Sequence, residues 1–216
     1  MMETLIVSGG SVTKEFLNQI LAQHHFDDII AVDKGMELFW KSEIKPNLIL
    51  GDFDSAKPEV LRFFQEETKV PIMEYPPEKD ETDTELALRI AIERNATKIT
   101  LIGVTGTRMD HSLGAIQLLG YGMERNVECF LLDEHNRIRL AWTDVKIAKS
   151  EQYGTYVSLI PFSPLVRKVT TKGMKYPLVA EDLPCFIVRG VSNEIVDEIG
   201  EISFEEGLLL VIESKD

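Results

Sequence analysis

The sequence predicts an α/β domain followed by an all-β domain. Three observations carry this expectation. Up to about residue 136, short apolar runs alternate with stretches of helical spacing. Those runs are apolar at nearly every position, not at every second one. Beyond about residue 137 helical spacing stops, and β-prone runs separated by turn residues replace it. Alternating strands and helices predict a parallel sheet with helices on both faces. Continuously apolar strands agree with burial on both sides. The expected domains are 1–136 and 137–216.

The elements justify this in order. Thr4-Leu5-Ile6-Val7 reads as a strand ending at Ser8-Gly9-Gly10. A helix follows, capped by Ser11 or Thr13, with Phe16, Leu17, Ile20 and Leu21 at helical spacing. Ile29-Ile30-Ala31-Val32 is the second strand and ends at Asp33-Lys34-Gly35; a helix turning Leu38 and Phe39 inward is expected next. Asn47-Leu48-Ile49-Leu50 is the third strand, and Pro58 suits the first turn of the helix after it, with Val60, Leu61 and Phe64 on one face. Val70-Pro71-Ile72-Met73 is a weaker strand, since its proline favours an edge. Past the polar loop Pro76-Pro77-Glu78-Lys79-Asp80-Glu81, Thr82-Asp83-Thr84-Glu85 has the spacing of a capping box. Leu86, Ala87, Ile90 and Ala91 give that helix its apolar stripe. Lys98-Ile99-Thr100-Leu101-Ile102 is the fifth strand, a helix spans about 112–124, and the sixth strand runs 127–132. The first domain is thus expected to be a Rossmann-like sheet.

In the second domain, strands are expected at 145–148, 155–160, 166–170, 186–189, 199–204 and 208–212, with Glu205-Glu206-Gly207 as a hairpin turn. Short strands with turns between them predict a small β-sandwich.

Composition narrows the function. The chain has 216 residues, 44% of them hydrophobic, and a net charge of -13. That balance argues against nucleic-acid binding, which needs a basic surface. No stretch approaches the roughly 20 apolar residues of a membrane span. Met1-Met2-Glu3 carries no basic residue, and Leu5-Ile6-Val7 is too short for a secretory core, so a cytoplasmic protein is expected. Cys129 and Cys185 lie in apolar runs and are expected to be buried and reduced.

The polar residues fall at strand ends. Ser8-Gly9-Gly10, Asp33, Asp52 and Asp54, Asp80 and Asp83, and Arg108 and Asp110 all follow strands. In an open α/β sheet, ligands bind at the carboxyl ends of the strands. Asp52 and Asp54 stand two apart in Gly51-Asp52-Phe53-Asp54-Ser55, so both face one side if the chain stays extended. Paired carboxylates repel unless protonated or shared with a cation, and hard oxygen ligands suit Mg²⁺ on a polyphosphate. A lone Asp-x-Asp reads equally as a solvated turn; five such loops on one edge read as a site. Neither the Walker phosphate loop nor the dinucleotide fingerprint occurs. His111 beside the acidic loop reads first as a helix-start residue. The carboxylates with Arg108 resemble the apparatus of phosphoryl transfer.

Taken together, Asp33-Lys34-Gly35, Gly51-Asp52-Phe53-Asp54-Ser55, Asp80-Glu81-Thr82-Asp83, Gly103 and Gly106-Thr107-Arg108-Met109-Asp110-His111, and Gly190-Val191-Ser192-Asn193-Glu194 resemble the thiamine pyrophosphokinase family. The pieces run in order along nearly the whole chain. The resemblance implies Mg²⁺-dependent transfer of the pyrophosphoryl group of ATP to thiamine, giving thiamine diphosphate and AMP. It implies a homodimer with sites at the subunit interface. Position by position, it implies metal ligation by Asp52, Asp54 and Asp83. It implies ATP contacts from Asp33, Gly51, Asp80, Thr82, Thr105 and Arg108, and thiamine contacts from Asp110, Ser192 and Asn193. Arg108 and Asp110 join the three metal residues as the implied catalytic set. Some eukaryotic members carry a tryptophan shortly after Ser-Asn; here Ile195 and Val196 follow. Two rivals stay open on the residues alone: a Mg²⁺-dependent phosphate-ester hydrolase, and a non-catalytic sensor on the same fold.

Overall fold

The consecutive apolar runs of the first half become parallel strands. In the computed structural model, which describes residues 1–78 and 80–216, they are β1 (Glu3–Val7), β2 (Asp28–Val32), β3 (Leu48–Gly51), β4 (Ile72–Glu74), β5 (Lys98–Ile102) and β6 (Glu128–Leu132). They pair in the order β4-β3-β2-β1-β5-β6, every neighbour parallel. In β2 and β3 every residue is buried. Successive side chains on a strand point to opposite faces, so both faces of the sheet are covered. The covering helices are α1 (Lys14–Gln23), α2 (Pro58–Glu67), α3 (Asp83–Glu93) and α4 (Met109–Met123). Thr13 caps α1 by accepting the Phe16 N–H, and Thr82 caps α3 by accepting the Glu85 N–H. Pro58 stands in the first turn of α2, and β4 is the edge strand, where its preceding proline loses no ladder bond.

Chain order runs outward from β1 to β4, then returns to set β5 on the other side of β1. The carboxyl ends of β1 and β5 therefore border the topological switch point, where such sheets bind ligands.

The chain divides into two compact units, Met1–Glu134 and His135–Asp216. In the second, β7 (Asn136–Ala141), β13 (Leu209–Ser214) and β9 (Tyr156–Pro161) pair antiparallel. β11 (Glu181–Pro184), β10 (Leu165–Lys172), β12 (Ile199–Ser203) and β8 (Val145–Ala148) form the other sheet. Ala141, Val157, Leu159, Leu209 and Val211 from one sheet meet Val145, Ile147, Val166, Val169, Leu183 and Ile202 from the other in a single core. Alternate residues of each strand point inward, as a sandwich requires.

Several expectations are corrected. Residues 33–39 form the expected helix as a 3₁₀ helix that buries Met36 with Phe39, not Leu38 with Phe39; at three residues per turn Met36 and Phe39 stack, and Leu38 falls between. Residues 186–189 form no strand: Phe186, Ile187 and Val188 are exposed. Cys185, expected to be buried, is exposed as well, while Cys129 is buried and its thiol is pushed up to about 12 by desolvation. Residues 205–207 are not a hairpin turn, because β12 and β13 belong to different sheets. Strands β7 and β11 went unread because charged residues interrupt them: Arg137 and Arg139 in β7, Glu181 and Asp182 in β11. Lys79, in the polar loop before α3, lies outside the described residues.

Candidate active site

A cavity of about 800 Å³ opens at the carboxyl ends of these strands, and all its lining residues lie in the first unit. Its floor is made where the loops after β1 and β5 join. The N–H groups of Ser8, Gly10 and Ser11 donate to the carbonyls of Ile102, Gly103 and Thr105 at 2.9, 2.6 and 2.8 Å. The buried Ser8 hydroxyl shares a 2.9 Å hydrogen bond with the hydroxyl of Thr84, in the first turn of α3. The floor is thus held by backbone contacts, with small side chains leaving room above it.

One wall is acidic. Asp33 follows β2 with φ 48°, and its Oδ1 accepts the Phe53 N–H at 3.3 Å. The carboxylate lies directly over Gly51, where any Cβ would collide with it. Asp52 and Asp83 line the cavity beside Asp33. Burial and then the charge of Asp83 raise Asp33 to about 6, with Asp52 adding to the shift and the Phe53 amide opposing it. Asp52 and Asp83 are therefore close enough for their charges to act on Asp33.

Asp54 is placed differently. Phe53 has φ 60°, so the chain leaves the extended conformation between the two aspartates. The expectation that they share a side assumed an extended strand, and the left-handed residue breaks that period. The Asp54 N–H donates to Asp52 Oδ1 at 3.1 Å. Its own carboxylate is exposed and outside the lining residues, as is that of Asp80. Gly51 is buried beneath Asp33.

Thr82, Thr105, Arg108, Asp110 and His111 also line the cavity. The Arg108 guanidinium grips Asp110 through Nη2 at 2.6 Å and Nε at 3.3 Å. That hydrogen bond holds the Asp110 carboxyl at about 2, with help from the His111 N–H at 3.0 Å. Thr105 Oγ1 donates to Asp133 Oδ2 at 3.1 Å. Asp133 follows β6 as Asp33 follows β2, so the strand-end rule that singled out the other carboxylates also points to it. Thr84 went unread because its role depends on packing against Ser8.

Ser192 and Asn193 belong to the second unit. Ser192 is exposed with φ 58°. Asn193 is buried, and its amide is occupied: Oδ1 accepts the N–H groups of Tyr176 and Glu194, and Nδ2 donates to the Tyr176 carbonyl.

Among the described residues, no group of three or more His, Cys, Asp or Glu side chains is arranged to hold a metal by itself. Asp52 and Asp83 in the cavity lining fit Mg²⁺ in its usual manner, with one or two carboxylates, substrate phosphates and water sharing the coordination sphere.

Two family models match the chain: "Thiamin pyrophosphokinase, catalytic domain" over residues 19–131, and "Thiamin pyrophosphokinase, vitamin B1 binding domain" over 143–209. A curated thiamine pyrophosphokinase of Bacillus subtilis (strain 168) is 37% identical over 191 residues, 87% of each chain. The chain belongs to the thiamin pyrophosphokinase family. Its fold agrees. The crystal structure of thiamine pyrophosphokinase from Bacillus subtilis superposes with a TM-score of 0.89 at 33% identity, covering 99% of both chains. That from Geobacillus thermodenitrificans gives 0.82 at 32%, covering 100% of this chain and 98% of its own. The protein is therefore an enzyme of the transferase class acting in thiamine metabolism. The catalytic model falls within the unit that carries the acidic cavity, and the vitamin-binding model within the sandwich.

Proposed function

We propose that the enzyme transfers the pyrophosphoryl group of ATP to thiamine, with the nucleotide in the cavity of the first unit. The primary hydroxyl of thiamine attacks the β-phosphorus. A new O–P bond forms, the bond from the β-phosphorus to the oxygen bridging the α-phosphate breaks, the hydroxyl proton passes to water, and AMP leaves. The observation that carries this reading is the convergence of Asp33, Asp52 and Asp83 above a glycine-lined floor at the switch point. The cavity volume is in the range of small-molecule sites.

Asp52, Asp54 and Asp83 would hold Mg²⁺, which would supply neutralisation of the polyphosphate oxygens. For Asp54, which stands outside the cavity lining, this assignment rests on the sequence resemblance alone. Asp33, Gly51, Asp80, Thr82 and Thr105 frame the nucleotide. Arg108 sets its guanidinium against the charge that spreads over the transferred group. Asp110, ionised throughout the physiological range, attracts the cationic thiazolium of thiamine and is too weak a base to take the hydroxyl proton. Ser192 offers thiamine an exposed hydroxyl, and Asn193 fixes the backbone beneath it.

The active form we propose is a homodimer. Phe186 and Val188 are 94% and 88% exposed, a degree of apolar exposure that a second copy would cover. A cytoplasmic location agrees with two free cysteines. Among the described residues no helix is long and apolar enough to cross a membrane.

The test is release of AMP from ATP and Mg²⁺ with and without thiamine, with the thiamine product identified. Thiamine-dependent AMP together with thiamine diphosphate is expected. Inorganic phosphate formed without thiamine would replace this reading with hydrolysis.

A further inference from the structure

Among the described residues, the cavity has two full cations in its lining, Arg108 and Lys34. Arg108 is committed to Asp110 by a two-point ion pair. Lys34 has no ion pair among the described residues, although Asp33 precedes it and Asp52, Glu81 and Asp83 line the same cavity. A lysine left solvated on an open surface would be unremarkable. This one lies across the glycine loop after β1: a Cβ on Gly9 would stand 2.6 Å from Lys34 Cγ and 3.2 Å from Cε. The aliphatic stem therefore runs over the Gly9 backbone at a distance no side chain would permit. A stem held this way loses less rotamer freedom on engaging a ligand than a free one.

We propose that Lys34 is the polyphosphate-contacting cation of this site and that Gly9 is a positioning residue for it. The inference rests on the reading that ATP occupies this cavity. Its chemistry follows from charge. A polyphosphate brought against three carboxylates needs positive charge beyond the metal, and an ammonium on a flexible stem serves as a point charge to phosphate oxygens. Arg108 cannot supply all of it while gripping Asp110. The ligand class is accordingly a nucleoside di- or triphosphate, and a monophosphate gains little from Lys34.

Calorimetric binding of ATP and of AMP, each with Mg²⁺, to the full chain tests this. The variants are Lys34→Met, Gly9→Ala and the pair combined. Lys34→Met should weaken ATP about tenfold, the worth of one hydrogen bond to a charged group, and leave AMP unchanged. Gly9→Ala should weaken ATP similarly by displacing the stem, and the double variant should lose no more than Lys34→Met alone. In turnover, the KM for ATP should rise while the KM for thiamine holds, and Lys34→Arg should recover part of the loss. Unchanged ATP affinity in Lys34→Met, or equal losses for ATP and AMP, overturns the assignment of Lys34. Additive losses in the double variant overturn the role of Gly9. A wild-type protein that binds no ATP overturns the nucleotide reading itself. Lys34 is exposed, so the Lys34→Met result stands even where Gly9→Ala misfolds.

Discussion

The two units treat their polar residues in opposite ways. In the α/β unit, carboxylates at strand ends stand close together, and burial, with the charges of Asp83 and Asp52, raises Asp33 to about 6. In the sandwich, Asn193, itself expected to contact thiamine, is buried and spent on the fold. Asn193 bonds the backbone of Tyr176 and Glu194 and leaves little capacity for anything else. The difference follows from architecture. A parallel sheet ends all its strands on one edge, so the loops there have their backbone needs met by one another, and their side chains stay available. A small sandwich has little apolar area per residue and uses side-chain bonds to pin its irregular loops.

This contrast can be broken by substitution. The largest effect is expected at Asp83. Asp83→Asn should cut turnover by about a hundredfold or more in the folded variant, the scale of removing a charged group that acts in the transition state. Steady-state kinetics beside a thermal melt checks it; near-normal turnover in the folded variant would remove the carboxylate cluster from the chemistry. Asn193→Ala should do the reverse. Losing three buried hydrogen bonds should cost about 2–4 kcal/mol in denaturant unfolding, whereas exposed Ser192→Ala should stay within about 0.5 kcal/mol. Equal and small effects at both positions would deny Asn193 its structural role.

The same contrast explains what the sequence revealed. The first unit was legible because its strands are apolar throughout and its polar residues cluster after them. Asp33, Asp52, Asp83, Arg108 and Asp110 all reach the cavity. Asp54 did not follow, because the left-handed Phe53 cannot be read from an Asp-x-Asp pattern. Thr84 and Lys34 depend on contacts with Ser8 and Gly9, far away in sequence. In the sandwich, β-prone runs between turn residues marked most strands but not their partners. The 205–207 turn looked like a hairpin because sequence spacing does not say which sheet the next strand joins. Residues 186–189 looked like a strand because apolarity alone does not distinguish a buried run from an exposed one.

The central claim is that the first unit keeps an acidic cluster against its own repulsion in order to hold a cation-bearing polyphosphate. Asp33→Asn tests it most directly, with unfolding free energy measured from pH 4 to 8 without added metal and turnover measured in parallel. The folded-state value of Asp33 is raised from 3.8 to about 6. Its ionisation therefore withdraws stability as pH climbs through that window, and the neutral form is favoured below it. The variant should match wild type near pH 4, exceed it by about 1–2 kcal/mol at pH 7 to 8, and lose most activity. A variant less stable than wild type at pH 8, with the same pH slope, or one that keeps full turnover, would contradict the account.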